Sequence, residues 1–109
     1  MRSHFLTLVL VLSVLFTAGC VGSAPDVPEG SDQSLIQGRK VWTTFCISCH
    51  GPTGSGGRGP SLREIENKYP DTEDISLIVN EGREAMPSFN EALDPEEVKS
   101  VIRYILEVL

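Results

Sequence analysis

The stretch WTTFCISCHG, Trp42 to Gly51, brings together three residues that can bind a metal or exchange electrons. Cys46 and Cys49 lie three positions apart, and His50 directly follows the second cysteine. Three chemistries use this arrangement: a thiol–disulfide couple, a zinc site, and a haem bonded covalently to the chain. The five residues of the motif do not discriminate among these three chemistries. The rest of the chain must therefore be considered.

The first two chemistries lack what they need. A thioredoxin-type couple follows a strand in a βαβ unit, whereas the residues before Cys46 have a helical pattern. Zinc needs three or four protein ligands. If the chain loses its N-terminal signal, His4 leaves with it, His50 is the remaining histidine, and the third cysteine is Cys20. Zinc is therefore short of ligands.

Haem needs only what is present. Cysteines at i and i+3 lie on one helical face about one turn apart, so both thiols can add across the vinyl groups at one edge of a porphyrin. The histidine after the second thiol then lies under the iron, and Cys-x-x-Cys-His is the attachment pattern of c-type haem. The motif predicts covalent haem on Cys46 and Cys49 with His50 as proximal ligand. A chance match or an ordinary disulfide stays open at this point.

The N-terminal 19 residues have the pattern of an export signal. One positive charge precedes FLTLVLVLSVLFTAG, Phe5 to Gly19, an uncharged apolar run that ends in small residues. The run is short for a transmembrane helix, which needs about 20 apolar residues, although an uncleaved anchor remains an alternative. We predict a signal over 1–19 and an extracytoplasmic location.

The signal ends in TAGC, Thr17 to Cys20, which resembles the lipobox of bacterial lipoproteins. The resemblance implies that Cys20 carries a lipid and becomes the new N-terminus. Thr17 departs from the leucine that is common there. The alternative is an ordinary signal cleaved nearby that leaves Cys20 as a free thiol, a liability in an oxidising compartment.

Cleavage before Cys20 would leave an acidic chain. Loss of Arg2 lowers the Lys+Arg count from 9 to 8 against 15 Asp+Glu, a net charge of −7. Nucleic-acid binding needs a basic footprint, so this function class is excluded. Acidity favours solubility and can also steer partners.

The stretch 20–33 is rich in Gly, Pro, Ser and Asp and predicts a flexible tether. The folded domain is predicted over 34–109. Ser34 and Gln37 have capping-box spacing at the start of a helix that runs into the cysteines. Ser61 and Glu64 have the same spacing and predict a short helix.

Two further helices follow. Asp71 or Thr72 begins one that ends at Gly82. The last has Asp94 as N-cap, Pro95 at its first position and Glu97 closing a capping box, followed by an apolar stripe. No strand is predicted, and the domain is expected to be all-α.

The segment GSGGRG, Gly54 to Gly59, matches the dinucleotide-binding pattern G-x-G-x-x-G literally. That pattern is meaningful only after a strand and inside a βαβ unit. Because this loop follows a haem-attachment pattern instead, its glycines are interpreted as allowing close approach of the backbone to a haem. No nucleotide partner is expected.

Over most of 34–109 the chain resembles the class I monohaem c-type cytochromes. The resemblance implies that Met86, in EAMP before Pro87, binds the iron on the face opposite His50; a lysine ligand or an open sixth position is the alternative. It also implies that the Pro60 carbonyl accepts a hydrogen bond from the histidine ring. Close crossing of the terminal helices at Gly38 and Tyr104 belongs to the same pattern.

The resemblance implies a small cytochrome c-like fold of about four helices around one covalent haem c. It further implies an electron carrier rather than an enzyme. At 109 residues the chain has room for one domain. The expected protein is a monomeric, membrane-anchored shuttle that meets a membrane-bound oxidase, reductase or reaction centre. A fixed electron-entry subunit of a larger complex, and a haem sensor or peroxidase-like protein with a displaceable ligand, are the alternatives.

Overall fold

The computed structural model describes residues 22–109, and the predicted signal at 1–19 and Cys20 lie outside the described residues. Over 22–109 the chain is helical, with no strand and one isolated bridge between Arg83 and Met86. In chain order the elements are α1 (Gln33–Val41), a π-helical turn (Trp42–Cys46), α2 (Ile47–His50), α3 (Ile65–Lys68), α4 (Thr72–Glu81) and α5 (Pro95–Val108). The all-α prediction is confirmed for this part of the chain.

Polar caps define where α4 and α5 begin. The Asp71 carboxylate accepts the Glu73 N–H at 3.0 Å. At α5, Asp94 accepts the Glu97 N–H at 2.9 Å, and the Glu97 carboxylate accepts the Asp94 N–H at 3.1 Å. These bonds satisfy N–H groups that have no partner inside the helix. Both predicted starts, and the end of α4 at Gly82, are confirmed.

Two other predicted capping boxes are wrong, although α1 does begin next to Ser34, at Gln33. Asp32 caps α1, because its carboxylate accepts the Leu35 N–H at 3.0 Å, while the Ser34 hydroxyl lies 3.0 Å from that of Ser100. At α3 no capping box forms. Ser61 instead donates its hydroxyl to the Gly54 carbonyl at 3.3 Å, and α3 begins only at Ile65.

The core is built where α1 crosses α5. A Cβ on Gly38 would clash with the Ser100 carbonyl oxygen and lie 2.9 Å from the Cβ of Tyr104. Glycine therefore lets the two backbones approach closely, as the resemblance to c-type cytochromes implies for this pair. Trp42 and Tyr104 are both fully buried, with ring centroids 6.3 Å apart. The same crossing fixes the position of the C-terminal end of α1, and the segment with the two cysteines follows this end.

The stretch predicted to be a flexible tether is packed onto the domain at Ala24 and Pro25. Ala24 is buried in the core, and the Pro25 carbonyl accepts hydrogen bonds from Tyr104 Oη at 2.5 Å and Arg39 Nε at 2.9 Å. Arg39 also pairs with Asp26 at 2.8 Å. This part of the prediction is corrected: local composition favours a loop, but buried backbone acceptors with fixed donors order it. None of the helices in 22–109 combines the length and apolar character needed to cross a bilayer.

Candidate haem site

The two cysteines lie on consecutive short helical segments. Cys46 ends the π-helical turn and Cys49 lies in α2, and both are half-buried free thiols. In the π-helical turn the Ile47 N–H bonds the carbonyl of Trp42, five residues back. Such a wide turn is uncommon and is found mostly at functional sites. The register of the cysteines relative to the buried Trp42 therefore differs from that of a regular α-helix.

The environment of Cys46 does not suit a redox dithiol. Burial, with a smaller contribution from the neighbouring Cys49, raises the pKa of the Cys46 thiol to about 12. Reactive dithiol motifs depend instead on a lowered pKa, because the thiolate is the nucleophile. The thioredoxin-type alternative is thus disfavoured by electrostatics as well as by the absence of a strand in residues 22–109.

His50 is buried, and its ring is held by the loop that follows α2. Its Nδ1 lies 2.8 Å from the Pro60 carbonyl oxygen, the contact that the family resemblance implies. With Nδ1 donating to a carbonyl, Nε2 is the ring nitrogen left to bind a metal. A Cβ on Gly59 would lie 2.9 Å from the Cε1 of His50. Only glycine fits beside the ring in this position.

The glycine loop, residues 51–60, folds back on the cysteine segment. The Gly56 N–H bonds the His50 carbonyl and the Gly59 N–H bonds the Cys49 carbonyl, both at 2.8 Å. Gly51 and Gly56 have φ values of 81° and 101°, a region that favours glycine. The glycines that mimic a dinucleotide motif therefore wrap the end of α2, and no strand of the described chain precedes them.

Met86 lies on a separate loop after α4. The methionine loop, residues 82–88, contains a two-residue turn in which Arg83 and Met86 exchange backbone hydrogen bonds of 3.0 and 2.9 Å. The Met86 side chain is half-buried against the core. Phe45, beside the first cysteine, meets Phe89, just after the loop, with ring centroids 5.9 Å apart. This edge-to-face contact connects the cysteine segment to the methionine side.

The residues present fit a covalently attached haem. Two free thiols and a buried imidazole with its Nδ1 already bonded lie within five positions. A large apolar ligand also needs apolar contacts. Half-buried apolar side chains that pack on the core, besides Cys46, include Ile47, Leu62, Ile65, Tyr69, Met86 and Phe89. Among residues 22–109 no group of three His, Cys, Asp or Glu side chains could hold a metal ion, so zinc remains short of ligands.

Several contacts around the site were not anticipated from the sequence. The Trp42 indole N–H donates to the Pro52 carbonyl at 3.2 Å. Arg83 Nη1 donates to the Tyr69 hydroxyl at 2.6 Å, and the Ser88 hydroxyl donates to the Asn80 carbonyl at 2.5 Å. Arg83 and Tyr69 are 14 positions apart, and no local pattern marks such a pair.

Comparison with known proteins gives concordant matches. Residues 33–105 match the family described as cytochrome c oxidase, cbb3-type, subunit III. The chain is similar to cytochrome c-551 of Bacillus subtilis, at 28% identity over 110 residues that cover 97% of this chain and 96% of the relative. It is also similar to cytochrome c6 of a Nostoc species, at 30% identity over 92% of this chain and 88% of the relative.

Among solved structures, cytochrome cL of Hyphomicrobium denitrificans has a similar fold. The TM-score is 0.62 at 22% identity, over 69% of this chain and 47% of that one. This likeness confirms the cytochrome c-like fold and, at this low identity, shows the fold alone. The family match and the similarity to cytochrome c6 together show that the chain belongs to the c-type cytochromes, which bind haem c covalently.

Proposed function

We propose that this chain is a one-electron carrier in which Cys46 and Cys49 hold the haem, His50 is the proximal iron ligand and Met86 the distal one. The observation that carries the proposal is the burial and hydrogen bonding of the His50 ring. Its ring is buried and bonded through Nδ1 to Pro60, which leaves Nε2 for iron next to two free thiols. Met86 is supported by its place on an irregular loop rather than on an apolar helix stripe.

Haem c bound in this way supplies reversible one-electron oxidation and reduction. If His50 and Met86 both held the iron, no coordination position would be left for a substrate, and electron exchange would be the remaining chemistry. The chain's own residues set its energetics. The carbonyl of Pro60 would make His50 a stronger donor to the metal, and half-buried apolar side chains would limit the access of water to the haem.

Export and lipidation of Cys20 are part of the same proposal. If Cys20 carries a lipid, the domain is tethered closely, because the chain is packed onto the domain from Ala24 onward. The four residues 20–23 can span at most roughly 14 Å. A carrier held this near a membrane has a raised effective concentration toward membrane-bound redox partners.

The charges of the domain are unevenly distributed along the chain, and we propose that they steer partners. Residues 71–97, which include α4 and the methionine loop, contain nine acidic residues and one basic residue, a net charge of −8. Residues 34–70, which include the cysteines, contain five basic and two acidic residues, a net charge of +3. A charge asymmetry of this size favours an encounter in which the acidic stretch 71–97 meets a basic surface of the partner.

A fixed subunit of a larger oxidoreductase is the second candidate, because the matching family is described as an oxidase subunit. Purification of the holoprotein in mild detergent separates the two. A shuttle is recovered alone, whereas a permanent subunit is recovered with stoichiometric partners. A redox titration of the membrane fraction, followed by reduced-minus-oxidised absorbance, tests electron transfer itself. One reversible one-electron haem transition supports a carrier, and its absence from membranes that contain the protein contradicts the proposal.

A further inference from the structure

The methionine loop is fastened to the end of α4 on both sides. At its start the Gly82 N–H bonds the Ile78 carbonyl at 2.8 Å. At its end the Ser88 hydroxyl donates to the Asn80 carbonyl at 2.5 Å, and the Phe89 N–H bonds the Val79 carbonyl at 3.1 Å. Three carbonyls in the last turn of one helix, which have no partners within that helix, thus hold the loop.

The backbone of the loop is tight and locally strained. A Cβ on Gly82 would lie 2.6 Å from the Met86 carbonyl oxygen and 2.7 Å from the Ser88 nitrogen. At the tip, Glu84 has a φ of 54°, which non-glycine residues seldom adopt. A strained conformation persists only when surrounding contacts determine it. The loop therefore depends on the groups that fasten it.

One of those groups comes from a different part of the chain. Tyr69 follows α3 and accepts a hydrogen bond from Arg83 Nη1 at 2.6 Å. Arg83 is also the residue whose backbone pairs with Met86 through two hydrogen bonds. The Tyr69 hydroxyl is therefore linked, through one residue, to the backbone that carries the methionine.

We propose that Tyr69, Arg83 and Ser88 are positioning residues that keep the methionine loop closed, with the thioether of Met86 held toward the iron. The inference rests on the proposed ligation by Met86. An external ligand can take the iron only when Met86 leaves it, and opening the loop must break the Tyr69–Arg83 and Ser88–Asn80 hydrogen bonds. These contacts favour the closed state, so they lower the apparent affinity of any external ligand.

The test is a titration of the ferric holoprotein with imidazole, followed through the near-infrared band of methionine bound to ferric iron. Tyr69→Phe removes the hydrogen bond from Arg83, and Ser88→Ala removes the hydroxyl that contacts both the Asn80 carbonyl and Asn90 Oδ1. We therefore expect imidazole to bind each variant about three- to tenfold more tightly than the wild type. Ser88→Thr keeps the hydroxyl and should bind imidazole nearly as the wild type does. Arg83→Gln removes the other partner of the Tyr69 hydrogen bond. Its matched control is Arg63→Gln, which removes an exposed charge elsewhere.

A double-variant cycle identifies the contact. If Tyr69 and Arg83 act on each other, Tyr69→Phe combined with Arg83→Gln should increase imidazole affinity no more than the larger single change. Full additivity would overturn the assigned pair. Wild-type affinity in both Tyr69→Phe and Ser88→Ala, with the band intact, would overturn the inference and leave Met86 ligation standing. Absence of the band from the wild type would overturn the ligation and the inference together.

Discussion

The Tyr104 hydroxyl donates a hydrogen bond of 2.5 Å to the carbonyl of Pro25, 79 positions earlier in the chain. The contact fastens the residues before α1 to the middle of α5, at the place where Gly38 lets the two helices cross. The segment that leads toward Cys20 is thereby part of the folded domain from Ala24 onward.

Tyr104→Phe removes this hydrogen bond and leaves the ring in place. Because the Pro25 carbonyl keeps the donor from Arg39, we expect the free energy of unfolding to fall by only about 1 kcal/mol. Tyr104→Ala also removes a fully buried ring and should cost about 3 to 5 kcal/mol. Denaturant unfolding of both holoprotein variants measures the difference. Equal losses in the two variants would show that ring packing is not the larger contribution.

Arg103 makes part of the stability depend on pH. Its guanidinium pairs with Asp32 at 3.0 Å and Glu107 at 2.8 Å, and its hydrogen bonds hold the pKa of each carboxyl below the ordinary values of 3.8 and 4.5. A carboxyl whose pKa is lowered by folding stabilises the fold above its unfolded pKa, and that stabilisation is lost as pH falls through the folded pKa. Arg103→Gln should therefore be less stable than the wild type at pH 6. The difference should shrink as pH falls below the ordinary values, and it should vanish below the lowered pKa values of the folded state. A difference that grows on acidification would contradict this account.

Gly59→Ala tests how the glycine loop holds the histidine. The added Cβ would lie 2.9 Å from the His50 ring, so the ring must move or the loop must shift away from Pro60. Since the bond to Pro60 strengthens the imidazole as a donor, we expect the variant to have a shifted reduction potential. Ser55→Ala, in the same loop and exposed, is the control. An unchanged potential in Gly59→Ala would show that the ring tolerates the added group.

The charge asymmetry predicts how the carrier responds to salt. The cationic oxidant or reductant hexaammineruthenium should exchange electrons more slowly as ionic strength rises, and the anionic ferricyanide should show the opposite trend, because salt screens charge steering. Replacing the exposed Glu73 and Asp74 with Gln and Asn should flatten both trends. Stopped-flow absorbance measures the rates. Identical salt dependence for the two reagents would contradict steering by the acidic side.

The parts of this molecule that could be predicted from the sequence are those encoded locally. Asp71, Asp94 and Glu97 are capping residues next to the helices they cap, and the spacing of Cys46 and Cys49 is itself the attachment pattern. The parts that could not be predicted depend on residues far apart. Ser34 and Ser61 have capping-box spacing, yet each bonds a distant group instead.

Long-range contacts also explain why composition wrongly predicted a flexible tether around Pro25. The residues around Pro25 are typical of a loop, and only the arrival of Tyr104 and Arg39 orders them. In the same way Arg83 is one charged residue among many until the chain brings Tyr69 beside it. A single sequence contains no periodicity or motif that records such pairs, because they follow from the packing of α1, α4 and α5.

The most direct test of the proposed closed coordination is the near-infrared absorbance of the ferric holoprotein, compared between wild type and Met86→Ala. If Met86 is the distal ligand, the weak band of methionine bound to ferric iron is present in the wild type and lost in the variant. The ferrous variant then binds carbon monoxide, while the ferrous wild type resists it. A wild-type protein that lacks the band and binds carbon monoxide readily would contradict the assignment of Met86 and favour a ligand-binding haem protein.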